Sequence, residues 1–162
     1  MRTALACSGA AEISLTERGI VTPAQNTSPQ AATPVVEIYR APRQDKPWGH
    51  EVIFAGLDGK YVGKIISIIA GNSLSLQYHL QKDETISVLS GAAVVEYGPS
   101  ADELSSQHFG PGDTIHLPAG TVHRITAITD LTFAEASTAD PGWREDVVRL
   151  EDRYGRTGTT AP

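Results

Sequence analysis

The stretch Gly71–Gly91, GNSLSLQYHLQKDETISVLSG, carries three candidate metal ligands within one strand–turn–strand segment. Gln77 and His79 stand two residues apart in a run of apolar and β-compatible residues. Successive strand side chains alternate faces, so both are expected to point the same way. Glu84 follows five residues after His79, which leaves Gln81, Lys82 and Asp83 to turn the chain and return a carboxylate toward the pair. A fourth ligand is expected downstream. In Gly112–His123, GDTIHLPAGTVH, the Pro118–Gly120 punctuation marks a tight turn and His123 opens the next apolar run. Two imidazoles, one carboxylate and one amide oxygen suit a single divalent ion of intermediate hardness, Zn, Fe, Mn, Co or Ni, with positions left open for water or substrate. Glu84 as the one anion leaves such a site net positive, which favours a small polar or anionic substrate. Taken singly, His79 and His123 read as ordinary half-buried histidines; the joint pattern is what points to a metal.

Outward from these two stretches, short apolar runs recur: EVIFAG, KYVGKIISIIA, SLSLQYH, TISVLSG, AAVVEYG, ELSSQHFG, DTIHLP, HRITAIT and LTFAEAS. Their spacing of about 8 to 12 residues, with Gly, Pro, Asp or Asn between them, predicts an all-β sandwich or barrel. Upstream, VVEIYR (35–40) reads as a strand and APRQD as a loop, followed by Lys46-Pro47-Trp48-Gly49-His50-Glu51. Pro47 and Gly49 set a rigid turn there, and Trp48 offers an apolar plate that either caps a barrel mouth or lines a pocket. Leu74, Leu76 and Tyr78 alternate with Ser75, Gln77 and His79, which is compatible with an outward apolar stripe. His50, His108 and His116 read as surface or structural residues.

At 162 residues the chain has room for one domain with a real core. A formal charge of -6 argues against nucleic acid as a partner, since phosphate-backbone binding needs a basic face. No run of 18 apolar residues exists, so no membrane span is expected. Cys7 is the one cysteine, which excludes an internal disulfide and fits a reducing, cytoplasmic setting. Residues 1–33 are rich in Ala, Ser, Thr, Gln and Pro, too little apolar material to offset ordering entropy, and are expected to form a flexible N-terminal tail, with room for a short helix near 10–18.

The two ligand stretches resemble the paired motifs of the cupin superfamily. The second fits at each position, Gly112, Pro118, Gly120 and His123; the first has Gln77 where many cupins have a histidine. Ser75-Leu76-Gln77-Tyr78-His79 before Glu84 is similar to the type II mannose-6-phosphate isomerases, as are Lys46–Glu51 and the ending Glu145–Arg156, EDVVRLEDRYGR. The resemblance implies a double-stranded β-helix, the cupin jelly-roll barrel, over residues 34–156, a C-terminal tail at 157–162, and pairing into a homodimer. It also implies a metal-dependent isomerase or epimerase of sugar phosphates, in which a base moves a proton between C1 and C2 through an enediol. Lys64 aligns with a family lysine and either contacts substrate, transfers a proton, or snorkels to solvent. Arg124 follows His123 as in the family, although strand alternation sends it to the opposite face. Glu135 matches a family glutamate and is either a general base or the orienter of a ligand histidine. The isomerases carry further histidines where this chain has Leu80 and Gln81. Two alternatives therefore stay open: another metal-dependent cupin enzyme, such as a dioxygenase, lyase, cyclase or decarboxylase, or a cupin that binds a ligand without turnover.

Overall fold

The computed structural model describes residues 35–159, and the expectations for Cys7 and for residues 1–33 lie outside them. Every regular element among the described residues is a strand, as the short, punctuated apolar runs require. The strands are β1 (Arg43–Lys46), β2 (Gly49–Leu57), β3 (Tyr61–Ile68), β4 (Leu76–Tyr78), β5 (Glu84–Ser90) and β6 (Ala93–Ser100), then β7 (Glu103–Phe109), β8 (Thr114–Leu117), β9 (Val122–Ala127), β10 (Leu131–Ser137) and β11 (Val148–Glu151). They form two antiparallel sheets, one of order β1-β2-β3-β10-β5-β8, the other β11-β4-β9-β6-β7. One apolar cluster draws Ile66, Ile86 and Phe133 from the first sheet and Val95, Phe109 and Ile125 from the second, so the main core lies between the two. This is the jelly-roll arrangement of a cupin.

Period-two alternation decides which side chains reach the interior. On β10, Leu131, Phe133, Glu135 and Ser137 are buried while their neighbours are partly or fully exposed. On β5, Glu84, Ile86 and Val88 do the same. Each strand thus feeds the apolar core along most of its length and presents a polar residue at one end. Glu84 comes from the first sheet, and Gln77 and His123 from the second, where they are directly paired across β4 and β9. Gly91 closes the β5–β6 connection with a φ of 86°, and a Cβ there would sit 2.1 Å from the carbonyl oxygen of Asp130, so glycine is required.

Three expectations need correction. VVEIYR is not a strand: Val36 and Ile38 are 85% and 96% exposed, and with no strand among the described residues to accept its backbone groups the segment is irregular. RQDK and VRLE, not read as strands, form β1 and β11, because each finds a partner edge, on β2 and β4. The outward stripe is absent as well. Leu76 is 2% exposed and Leu74 packs against the main core. No helix among the described residues is long and apolar enough to cross a membrane.

Candidate metal centre and its cavity

His79, Glu84 and His123 are all buried, and one ligand atom from each lies within 4.8 Å of the others. Two motifs distant in sequence are held together by the backbone: Gly120 N–H, in the Pro-Ala-Gly turn, donates to the His79 carbonyl at 2.7 Å, and Ala119 N–H donates to Asp83 Oδ1 at 2.8 Å. From the other side Asp146 clamps the same turn. Its carboxylate accepts the N–H groups of Leu80, Gln81 and Lys82 at 2.9, 3.0 and 2.8 Å, and its main-chain carbonyl accepts from His79 Nδ1. These backbone donors hold the Asp146 carboxyl below its usual range against the opposing effect of burial.

The hydrogen bonds also fix the ring atoms that face the cluster. His79 Nδ1 donates to Asp146 and His123 Nδ1 donates to Thr121 O at 2.9 Å, which leaves each Nε2 as a lone-pair acceptor. Burial pushes the His123 imidazole below its ordinary pKa, only partly opposed by Glu84, so it is neutral as a metal ligand must be. His79 Nε2 lies 2.5 Å from Glu84 Oε1, and neither atom has a directed hydrogen bond among the described residues. The Lys82 ammonium reaches the same Glu84 oxygen, and the two imidazoles with the carboxylate make a donor set that a divalent ion fits. Gln77 lines the cavity beside them, with its Oε1 accepting from Ser75 Oγ at 2.6 Å.

Sequence reasoning missed that Lys82 belongs to this centre. Its ammonium is buried, 2.8 Å from Glu84 Oε1 and 3.3 Å from Glu135 Oε1. Burial works against the charge, but Glu135 and Glu84 outweigh it and hold the ammonium above its ordinary pKa. Burial likewise opposes ionisation of Glu84, and Lys82 with the two histidines keeps that carboxyl well below its usual range. The row continues through Lys64, whose Nζ lies 3.5 Å from Glu135 and 3.9 Å from Glu51, and ends at Lys46, 3.2 Å from Glu51. Ammonium and carboxylate alternate along it, which is how so many charges stay buried together.

Lys64 and Glu135 face each other directly across β3 and β10 and both line a half-open cavity of 160 Å³. Glu135 contacts Lys64, Lys82 and Ser137 Oγ rather than a histidine, so it faces the cavity as a carboxylate and not as the orienter of a ligand. Trp48 is at once a core residue and part of the cavity wall. Arg124 is not brought to the cavity. Alternation turns it outward, where its guanidinium holds Glu96 through Nε at 2.7 Å and Nη2 at 3.1 Å, and Glu151 through Nη1 at 2.9 Å. His108 and His116 are exposed, as read.

A jelly roll of two antiparallel sheets with a His/Glu/His cluster at one end of the space between them defines a cupin. The chain belongs to the family described as mannose-6-phosphate isomerase C-terminal, whose model matches residues 36–152. Over 123 residues it is 32% identical to mannose-1-phosphate guanylyltransferase ManC of Salmonella typhimurium, a match spanning 74% of this chain and 23% of that protein. It is 31% identical over 127 residues to the alginate biosynthesis protein AlgA of Pseudomonas putida, spanning 76% and 24%. The chain thus spans about a quarter of the length of these relatives. The capsular polysaccharide assembling protein CapF of Staphylococcus aureus shares the fold, with a TM-score of 0.62 at 20% identity over 71% of this chain and 35% of CapF.

Proposed function

We propose that this chain is a metal-dependent sugar-phosphate isomerase, interconverting an aldose and a ketose phosphate of the mannose 6-phosphate and fructose 6-phosphate kind. The observation that carries the reading is the juxtaposition of two centres in one cavity: the His79–Glu84 cluster, and the half-buried Lys64 beside the buried Glu135. Family membership supports the same reaction class. The guanylyl transfer in the name of one relative is not carried over, since the match covers only 23% of that protein.

His79, Glu84 and His123, with Gln77 beside them, would hold the ion; when bound, it supplies Lewis acidity that makes sugar hydroxyl and carbonyl oxygens easier to deprotonate and polarise. Glu135 takes the proton from the carbon next to the carbonyl and returns it to the neighbouring carbon. The Lys64 and Lys82 ammoniums flank that carboxylate and offset the negative charge that develops on the enediolate oxygens. Trp48 covers part of the apolar wall and keeps water from the reacting carbons.

Metal analysis combined with an assay for fructose 6-phosphate formed from mannose 6-phosphate tests this. The purified protein is expected to hold a divalent ion, to lose it in His79→Ala and Glu84→Ala, and in Glu135→Gln to keep the ion while kcat falls by about 10²–10⁴-fold. Metal retained without conversion of any phosphorylated aldose would remove the isomerase reading and leave a different reaction on the same metal centre.

A further inference from the structure

The buried side-chain polar atoms that lack hydrogen-bond partners among the described residues are four, and they sort by chemistry. Two are acceptors, His79 Nε2 and Glu84 Oε1, at the metal centre. The other two are donors, Trp143 Nε1 and Arg149 Nε, and both residues line the same cavity. The two acceptors face each other and the Lys82 ammonium, whereas the two donors have no acceptor among the described residues, so the donor end is the part of the cavity suited to an oxygen-rich anion.

The donor end is also where positive charge collects. Arg149 is 8% exposed and Arg156 shares the cavity wall with it, as does Arg144, whose guanidinium stacks 4.2 Å from the Trp143 ring centre. Arg149 Nη1 donates to the neutral carbonyl of Thr159 at 2.7 Å, and Arg156 Nε is held by Asp152 at 2.6 Å, which leaves Arg149 with no carboxylate of its own among the described residues. Burial, with the neighbouring Arg156, pushes the Arg149 guanidinium below its ordinary value, the mark of a cation short of negative charge. Six cationic side chains line the cavity against three carboxylates, in a chain whose formal charge is -6. That excess is local, since Lys46, Lys64 and Lys82 are already matched by Glu51, Glu135 and Glu84.

Register fixes where this end lies. Arg149 on β11 pairs with Gln77 on β4, and Gln77 pairs with His123 on β9, so the three stand in one row on one face. Two strand spacings put the arginine about 10 Å from the metal-centre histidine, Cα to Cα. That suits a sugar phosphate lying with its carbonyl end at the metal centre and its phosphate at the arginines.

From this placement we infer that Arg149 and Arg156, with the indole N–H of Trp143, form a subsite for the phosphate monoester of the substrate. The inference deepens the isomerase reading and rests on it for the sugar, but not for the anion. Guanidinium forks match a phosphate in bidentate geometry, and a lysine at position 149 would keep the charge and lose the fork.

The full-length protein, stripped of metal with a chelator, is titrated with inorganic phosphate by calorimetry. Saturable binding is expected for the wild type and for Lys60→Gln, an exposed cation away from the cavity. Binding at least about tenfold weaker is expected in Arg149→Lys and Arg156→Gln. Phosphate is also expected to change tryptophan emission in the wild type and not in Trp143→Phe, a comparison that stands even where an arginine variant fails to fold. Absence of saturable binding by the wild type, unchanged binding by folded Arg149→Lys and Arg156→Gln, acetate binding as tightly as phosphate, or an emission change that persists in Trp143→Phe each overturns the subsite. Phosphate bound in this way by a protein that isomerises nothing leaves the subsite standing and removes the reaction. Isomerisation by Arg149→Lys and Arg156→Gln at unchanged KM does the reverse.

Discussion

Lys82 bridges two buried carboxylates, and removing its charge strands Glu84 and leaves Glu135 with Lys64 alone. In metal-free protein, Lys82→Met is expected to lower stability by about 3–5 kcal/mol in urea denaturation, because Glu84 would be left without an ammonium and Glu135 with Lys64 alone. A loss under about 1 kcal/mol would mean that the carboxylates find other partners. His79, Glu84 and His123 were legible in the sequence because ligand spacing on a strand and a Pro-Gly turn is rigid enough to read. Lys82 was not: it sits in the polar turn Gln81–Asp83, where a lysine ordinarily points to water, and it takes Glu135 returning from β10 as well as Glu84 to make its burial tolerable. Glu51 was hidden for the same reason, since its partners Lys46 and Lys64 come from two other segments.

Among the elements, the turn from His79 to Glu84 depends on a residue outside either sheet. Asp146→Asn keeps the shape but weakens three charge-assisted bonds to backbone N–H groups, with a cost of about 1 kcal/mol at this partly solvated position. Because the Asp146 carbonyl also orients His79, metal affinity measured by competition with a chromogenic chelator is expected to fall about tenfold. On the outer face, the Arg124 guanidinium holds Glu96 below its ordinary pKa. Such a carboxyl binds fewer protons folded than unfolded. Its contribution is therefore whole above about pH 4.3 and is lost as the pH falls through the folded value. Glu96→Gln is expected to cost less than about 1 kcal/mol at pH 7, and the gap to wild type should narrow steadily as the pH is lowered from about 4.3 in denaturation curves. Alternation alone placed Arg124 outside; what it could not supply was Glu151, which reaches it from β11, a strand whose four-residue VRLE alternation is too short to announce it and is not followed by its burial.

For the whole molecule, the strand content and the enclosing of a core between sheets followed from the spacing of apolar runs, whereas the pairing did not. β3 lies against β10 and β4 against β11, unions of segments far apart in the chain that no local pattern encodes. The donor end of the cavity inherits that distance, for Arg149 and Trp143 were visible as residues but not as neighbours of Lys64 and Gln77.

The Asp146 clamp has a consequence for the order in which the protein matures. Asp146 lies sixty-seven positions after His79, so a growing polypeptide exposes His79, Glu84 and His123 before the residue that aims the first of them has been made. Loading with metal should therefore be a terminal event of biogenesis. A chain stopped after Arg144 is expected to keep most of the inter-sheet core and yet take up ion weakly in equilibrium dialysis; uptake equal to that of the whole chain would show that the clamp is dispensable.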